Sequence, residues 1–394
     1  MKIILCLTLG LVLLSGGAWL WRATTIASRQ QTQRTRLWKT IYRGEPVWLK
    51  VPAELDDEAP QQSKAPDKVD KGKDEKIKEK EYELHSVLPT WYSAHFMGSS
   101  RGWVAGSAIT RANFFTVSGG GLIAITLNSG QSWSTQRVLE YDHIMSVFFI
   151  DTLHGWVAGS DKYEDRTIGV VAKTSDGGKS WLPMLSLNNY EISTLHDIRF
   201  IDKRIGWAVG EAQIDGDVQG LVIGTIDGGR TWSRQYLSDR TFVLERVKFA
   251  GKRRGWIVGA RVILHTEDGG RSWNEQWFEV GEDLFDIIAL DSDELWTVGA
   301  GGLLLHTLDG GRTWRKIHLP SQYKSVWLSC VYFKNAQRGW VAGDEGTIFA
   351  TEDGGKSWHL ESSGESSYLR SFAATNGRLI AVGNDGIVLE RKID

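Results

Sequence analysis

Short apolar runs separated by turns rich in Gly, Asp, Asn and Arg recur from about residue 90 to the end of the chain. One unit reads as follows: an apolar run at 198–201, a turn, Gly206-Trp207-Ala208-Val209-Gly210, a turn, and a run ending at Thr225. The Asp227-Gly228-Gly229 turn comes next, then a last run opened by Trp232. Each run is too short to nucleate a helix before glycine interrupts it, and runs of this length between turn residues read as strands. Every complete unit therefore predicts four short antiparallel strands, and the seventh about three.

Two motifs keep time along the chain. The first is Gly-Trp-x-x-Gly, beginning at Gly102, Gly155, Gly206, Gly255 and Gly339, with the variants Leu295-Trp296-Thr297-Val298-Gly299 and Leu379-Ile380-Ala381-Val382-Gly383. The second is T-x-D-G-G-x-[ST]-W, complete from Thr174, Thr225, Thr266, Thr307 and Thr351, and degenerate from Thr126, where Asn128-Ser129-Gly130 replaces Asp-Gly-Gly. Seven units at about 40 to 53 residues per repeat match the four-stranded blades of a β-propeller and exceed leucine-rich or tetratricopeptide periods. The fold class expected is all-β, a seven-bladed propeller, over 84–394. Asp176, Asp227, Asp268, Asp309 and Asp353 read as structural: a carboxylate can accept backbone N–H groups across a hairpin while glycine supplies the positive φ of the turn.

Composition agrees, with 44 Gly and 19 Trp against 7 Pro in 394 residues. The formal net charge of −2 is near neutral, a total that can conceal faces of opposite sign. Cys6 and Cys330 are the only cysteines, too few for a disulfide framework or a cysteine metal cluster. No metal and no cofactor are expected.

Upstream of the repeats, residues 3–21 are almost unbroken apolar sequence behind Lys2. The expectation is a transmembrane or signal helix over 1–22, retained as an anchor, with the propeller extracytoplasmic. Arg22, Arg29, Arg34 and Arg36 pull the other way under the positive-inside rule. Residues 23–53 are expected to lend the ring a closing outer strand at 36–42, which resembles the box-following strand at 312–318; residues 83–88 are the alternative. Residues 54–83, a mixed-charge run, read as a disordered loop or linker.

The alternation of the two motifs from Trp91 to Asp394 resembles the photosystem II stability and assembly factor family, within the wider Asp-box (BNR-repeat) propellers. The resemblance implies a seven-bladed scaffold that assists assembly of a membrane protein complex. Members are usually exported, often with a lipid anchor, and the lipobox is missing here.

In such a blade the turns before each Gly-Trp strand and the Asp-box turns share one face. They carry Arg101, Lys179, Lys203, Arg204, Arg230, Lys252, Arg253, Arg254, Arg271, Arg312, Arg338, Lys356 and Arg378. The opposite turns carry Asp161, Glu164, Asp165, Glu211, Asp215, Asp217, Asp344, Glu345 and Asp385. The expectation is a basic face that docks acidic loops of membrane-complex subunits or an anionic lipid surface, with no nucleic acid.

Two other function classes compete. A receptor for peptides or glycans would use the channel mouth or the acidic face. A sialidase-like glycoside hydrolase would need an arginine cluster, a tyrosine nucleophile and usually an Arg-Ile-Pro segment, and no Arg-x-Pro occurs. Gly-x-Ser-x-Gly and His-Glu-x-x-His are also missing. Gly119–Gly121 and Gly299–Gly302 read as propeller turns, and no catalytic residue is expected.

Overall fold

The computed structural model describes residues 37–52, 82–112, 115–163, 166–185, 191–276 and 281–393. Seven four-stranded antiparallel sheets form the blades of a propeller. Their innermost strands are Thr90–Met97, His143–Phe149, Ile192–Phe200, Leu244–Ala250, Leu284–Ala289, Leu328–Phe333 and Leu369–Thr375, in blades 1 to 7. Blade 7 takes its second and third strands from Arg378–Gly383 and Ile387–Lys392. Its outermost strand comes from the far end of the chain, where Lys39–Arg43 pairs antiparallel with Ile387–Lys392. Blade 7 then meets blade 1, with the Tyr42 ring stacked 5.3 Å from that of Trp133 and its hydroxyl 2.9 Å from Thr135 Oγ1. A separate hairpin pairs Val47–Pro52 with Tyr82–Val87.

The apolar runs form strands because each alternates between two neighbouring blades, and the cores lie between the sheets. The Trp of the Gly-Trp motif is the largest piece of each core, with Trp103, Trp156, Trp256 and Trp296 fully buried. Its indole reaches across to the next blade's Asp box: Trp103 Nε1 donates to Gly177 O (2.9 Å), Trp156 Nε1 to Gly228 O (3.1 Å) and Trp256 Nε1 to Gly310 O (3.0 Å). A buried indole N–H needs such a partner, and the box turns its carbonyl inward to supply it.

The box itself is closed by its aspartate. Asp176 accepts the Ser180 hydroxyl (2.6 Å), the Ser180 and Lys179 amides, and the Thr174 hydroxyl, while Thr174 Oγ1 accepts the Gly178 amide (2.9 Å). These hydrogen bonds, led by that of Ser180, hold the Asp176 carboxyl down to about 2. The boxes of Asp227, Asp268, Asp309 and Asp353 repeat the pattern. Their aspartates are occupied in turn closure.

Two expectations are corrected. Among the described residues no helix is long and apolar enough to cross a membrane; the helical turns there are the three-residue 3-10 segments Ala300–Gly302, Ser321–Tyr323 and Asp344–Gly346. Among the described residues the fold class is therefore the propeller alone, with no transmembrane or signal helix of the kind expected over 1–22. The membrane-anchored, extracytoplasmic placement is corrected with it, since no described helix can serve as the anchor. Residues 1–22, like most of 54–83, lie outside the described residues.

Candidate functional site: the two mouths of the central channel

The seven inner strands line a channel, and all seven carry the same backbone irregularity. In each, the register against the second strand shifts across one residue: Tyr92, Met145, His196, Glu245, Phe285, Ser329 and Arg370 in blades 1 to 7. A β-bulge inserts one unpaired residue and re-aims its side chain. Here every bulged residue lines a single cavity of about 340 Å³, together with Arg246, Trp327 and Tyr368. These are residues near the starts of the inner strands, so this narrow mouth opens on the face away from the Asp boxes.

In blades 1, 2, 3 and 5 the residue after the bulge, Ser93, Ser146, Asp197 and Asp286, ties its blade to the next. The Val147 amide donates to Ser93 Oγ (3.3 Å), the Ile198 amide to Ser146 Oγ (3.4 Å), and the Val247 amide to Asp197 Oδ2 (3.1 Å). The Val331 amide donates to Asp286 Oδ2 (3.0 Å). Ser146 Oγ also donates to Asp197 Oδ1 (2.7 Å), and Arg199 lies 3.4 Å from the same oxygen. Burial pushes the Asp197 carboxyl up, but Arg199, Arg246, Lys248 and the Ser146 hydroxyl outweigh it and hold the group below its usual range. At Asp286 burial wins against Lys248 and Arg246, and the carboxyl is raised. Burial, followed by repulsion from Arg199, brings Lys248 down to about 8.

A second cavity, of about 620 Å³, opens on the Asp-box face, where the inner strands end. Its lining combines Arg199, Lys248 and Lys252 with Phe148, Tyr332 and Phe372. The Arg199 guanidinium lies 5.5 Å from the Phe148 ring, within cation–π range. Beside it His95 is pushed down to about 3, first by burial and then by Arg199 and Lys248, so it is a neutral imidazole. This wide mouth is basic and aromatic.

The residues expected on the basic face fall on the turns of the Asp-box face or, for Arg101, Arg254 and Arg378, at the first position of the strand that follows, with differing degrees of freedom. Lys252 lines the mouth itself, and with Arg271 it also lines a cavity of about 480 Å³ between blades 3 and 4. Lys179, Arg230, Arg271 and Lys356 stand exposed on box turns. Arg204, Arg253 and Arg312 are exposed but donate to turn carbonyls of Ile226, Glu267 and Asp309. Others join blades: Arg101 donates to Thr152 O (2.8 Å), Lys203 pairs with Asp151 (2.8 Å), Arg254 pairs with Asp293 (3.2 Å), and Arg378 donates to Ser129 O (3.0 Å) and pairs with Glu390. Arg338 packs 5.8 Å from the Trp340 ring. The same turns hold Asp151, Asp202 and Asp291, whose carboxylates accept turn amides, and Asp293, whose carboxylate accepts the Ser292 hydroxyl and Arg254. Positive charge on this face is thus interleaved with acids, while Arg199, Lys248 and Lys252 gather at the channel mouth.

Sequence reasoning missed the channel residues. The signal was available as an apolar residue, a variable one, then Ser, Asp, Arg or Cys, repeated in every inner strand: Trp91-Tyr92-Ser93, Leu195-His196-Asp197, Leu328-Ser329-Cys330. Among the described residues no group of three or more His, Cys, Asp or Glu is arranged to hold a metal ion.

Residues 184–281 and 240–326, from the end of blade 2 to the approach to blade 6, match the family model described as photosynthesis system II assembly factor YCF48. The chain resembles the photosystem II assembly factor family. A solved structure described as YCF48 bound to D1 peptide superposes with a TM-score of 0.61 at 19% identity, over 78% of this chain and 93% of that one. YCF48 from Cyanidioschyzon merolae gives 0.58 at 18% identity, over 78% and 96%. The Niastella koreensis GH74 enzyme also gives 0.58, at 14% identity, but over 78% of this chain and 53% of that one. At these identities the superpositions establish a common fold. No curated protein matches the chain by sequence.

Proposed function

We propose that the chain is a non-catalytic holder of protein segments. It grips an acidic loop of a membrane-complex subunit at the wide mouth and its basic surround while that complex is assembled. The observation that carries this reading is the union of Arg199, Lys248 and Lys252 with Phe148, Tyr332 and Phe372 in one open cavity of about 620 Å³. Cations in a partly desolvated bowl attract carboxylates, and aromatic walls take the apolar side chains beside them. The resemblance to the assembly-factor family supports the same reading, as does the D1 peptide bound by its structural relative. The exposed Lys179, Arg230, Arg253, Arg271, Arg312 and Lys356 would steer the approach rather than supply the grip.

The test is binding of fluorescent acidic peptides, taken from the water-exposed loops of membrane-complex subunits, to the full chain and to the triple variant Lys252→Glu, Arg253→Glu, Arg271→Glu. These three side chains are exposed, so the variant is expected to keep its thermal transition and to lose at least tenfold in affinity. Unchanged affinity in the triple variant would sink the reading.

A further inference from the structure

The narrow mouth lies at the other end of the channel, and its chemistry differs from that of the wide one. Tyr92, Met145 and Phe285 supply an aromatic and thioether wall, extended by Tyr368 and by Trp327, whose side chain is half exposed at 50% and lies 5.8 Å from the Phe285 ring. Arg370 is set into this wall. Its guanidinium carbon is 5.1 Å from the Tyr92 ring and 4.8 Å from the Tyr368 ring, and its Nε donates to Asn384 Oδ1 at 2.8 Å.

Held in this way, the guanidinium has little rotational freedom left to lose, yet its terminal nitrogens have no hydrogen-bond partner among the described residues. Nor does any described carboxylate form an ion pair with it. Glu245, the carboxylate on the ring of bulges, lies 3.4 Å from His196 Nδ1 and is lowered, against burial, first by His196 and then by Arg246 and Arg370, so it shares the field of Arg370 without forming an ion pair with it. A planar fork fixed along its stem and open at its tip accepts a carboxylate through two parallel hydrogen bonds. Fixing it in advance removes part of the entropy cost of binding.

The rim narrows the choice of ligand. The turns on this face carry Asp161, Glu211, Asp344, Glu345 and Asp385. Asp344 lies close by, its carboxylate accepting the Trp327 amide at 3.1 Å. Such a rim repels polyanions but tolerates a single carboxylate delivered by an apolar group.

We propose that the narrow mouth is a receptor for an organic carboxylate borne on an aromatic or apolar group. The carboxylate lies on the terminal nitrogens of Arg370, and the apolar body lies against Trp327 and Phe285. This site is independent of the grip assigned to the wide mouth, and either can fail alone.

Isothermal titration of the full chain tests it with N-acetyltryptophan against N-acetyltryptophanamide, with short peptides ending in Trp as free acid or amide, and with inorganic phosphate. The free acids are expected to bind at least tenfold more tightly than the amides, and phosphate not to bind. Arg370→Gln and Trp327→Ala should each cost at least tenfold in affinity for the acids, and Arg370→Lys should cost less than Arg370→Gln. Because Trp327 is half exposed, its truncation keeps the test valid even if Arg370→Gln fails to fold. Binding of the small acid would assign the site to a free metabolite. Binding of the peptide acids alone would assign it to the end of a protein chain, and both results uphold the carboxylate. Equal affinity for acid and amide, tighter binding of phosphate, or no binding at all would overturn the proposal.

Discussion

The junctions between consecutive blades and the junction between blades 6 and 7 solve the same docking problem with different chemistry. Where a blade is followed by an Asp box, the indole of Trp103, Trp156 or Trp256 bonds a glycine carbonyl of that box, a neutral contact in a dry core. Blade 5 varies the theme, with the Trp296 ring itself packed over Gly355. Blade 7 has no box, because its third and outer strands come from opposite ends of the chain. Trp340 of blade 6, like Trp296 of blade 5, finds no acceptor for its Nε1 among the described residues, and here the Arg391 guanidinium lies 5.1 Å from its ring. Arg391 bonds Glu361 through Nε and Nη2, both at 2.7 Å, and Trp38 Nε1 donates to the same carboxylate at 2.8 Å. A repeat can dock on a hydrogen bond; closure here uses a buried ion pair that joins the outer strand of blade 6 to both ends of the chain.

That difference is open to direct attack, and the closure should yield most. Glu361→Ala leaves Arg391, 8% exposed, as an unpaired buried charge and strips Trp38 of its acceptor. The expected loss is about 3–5 kcal/mol in equilibrium denaturant unfolding. Replacing Glu361 and Arg391 together with methionine should recover much of it, since a buried pair and apolar residues of similar size are often near parity. A loss of less than 1 kcal/mol for Glu361→Ala would show that the closure rests on packing alone, on the scale of a single neutral hydrogen bond.

A regular junction should break less severely, and through its backbone. Gly270 has φ +75, and a Cβ there would meet Trp207 Nε1 at 2.2 Å. Gly270→Ala is expected to cost about 2–3 kcal/mol from overpacking and the left-handed backbone, with a blue or red shift in tryptophan emission marking the displaced ring. The smallest effect belongs to the hydrogen bond alone. Trp156→Phe keeps an aromatic ring at the site, leaves Gly228 O with Lys173 Nζ at 3.2 Å as its remaining side-chain donor, and should cost about 1 kcal/mol in the same unfolding assay. Equal costs for this change and for Glu361→Ala would erase the distinction between the two kinds of junction.

How far the sequence discloses this depends on whether a feature repeats in type or only in place. Gly-Trp and Asp-Gly-Gly recur as the same residues because one turn and one indole contact serve blade after blade, so the blades and their number are legible. The bulge ring recurs only as a position. Tyr92, Met145, His196, Glu245, Phe285, Ser329 and Arg370 share a backbone shift but no chemistry, and no residue type flags them. The charged turns were half legible: their cations stand out, whereas Asp151 and Asp293, which hold Lys203 and Arg254, lie in the neighbouring blade and pair only once the ring is formed.

Seven bulges at one height also bear on how such a ring acquires a new specificity. Each is an unpaired insertion whose side chain lines the narrow mouth, so a substitution there changes the lining without removing a ladder hydrogen bond. Some of the seven are coupled: Glu245 faces His196, Arg370 bonds Asn384, and Ser329 Oγ bonds Leu369 O of the next blade. The narrow mouth behaves as a word of seven letters written on a scaffold that does not change, and a descendant could rewrite its preference a letter or a coupled pair at a time.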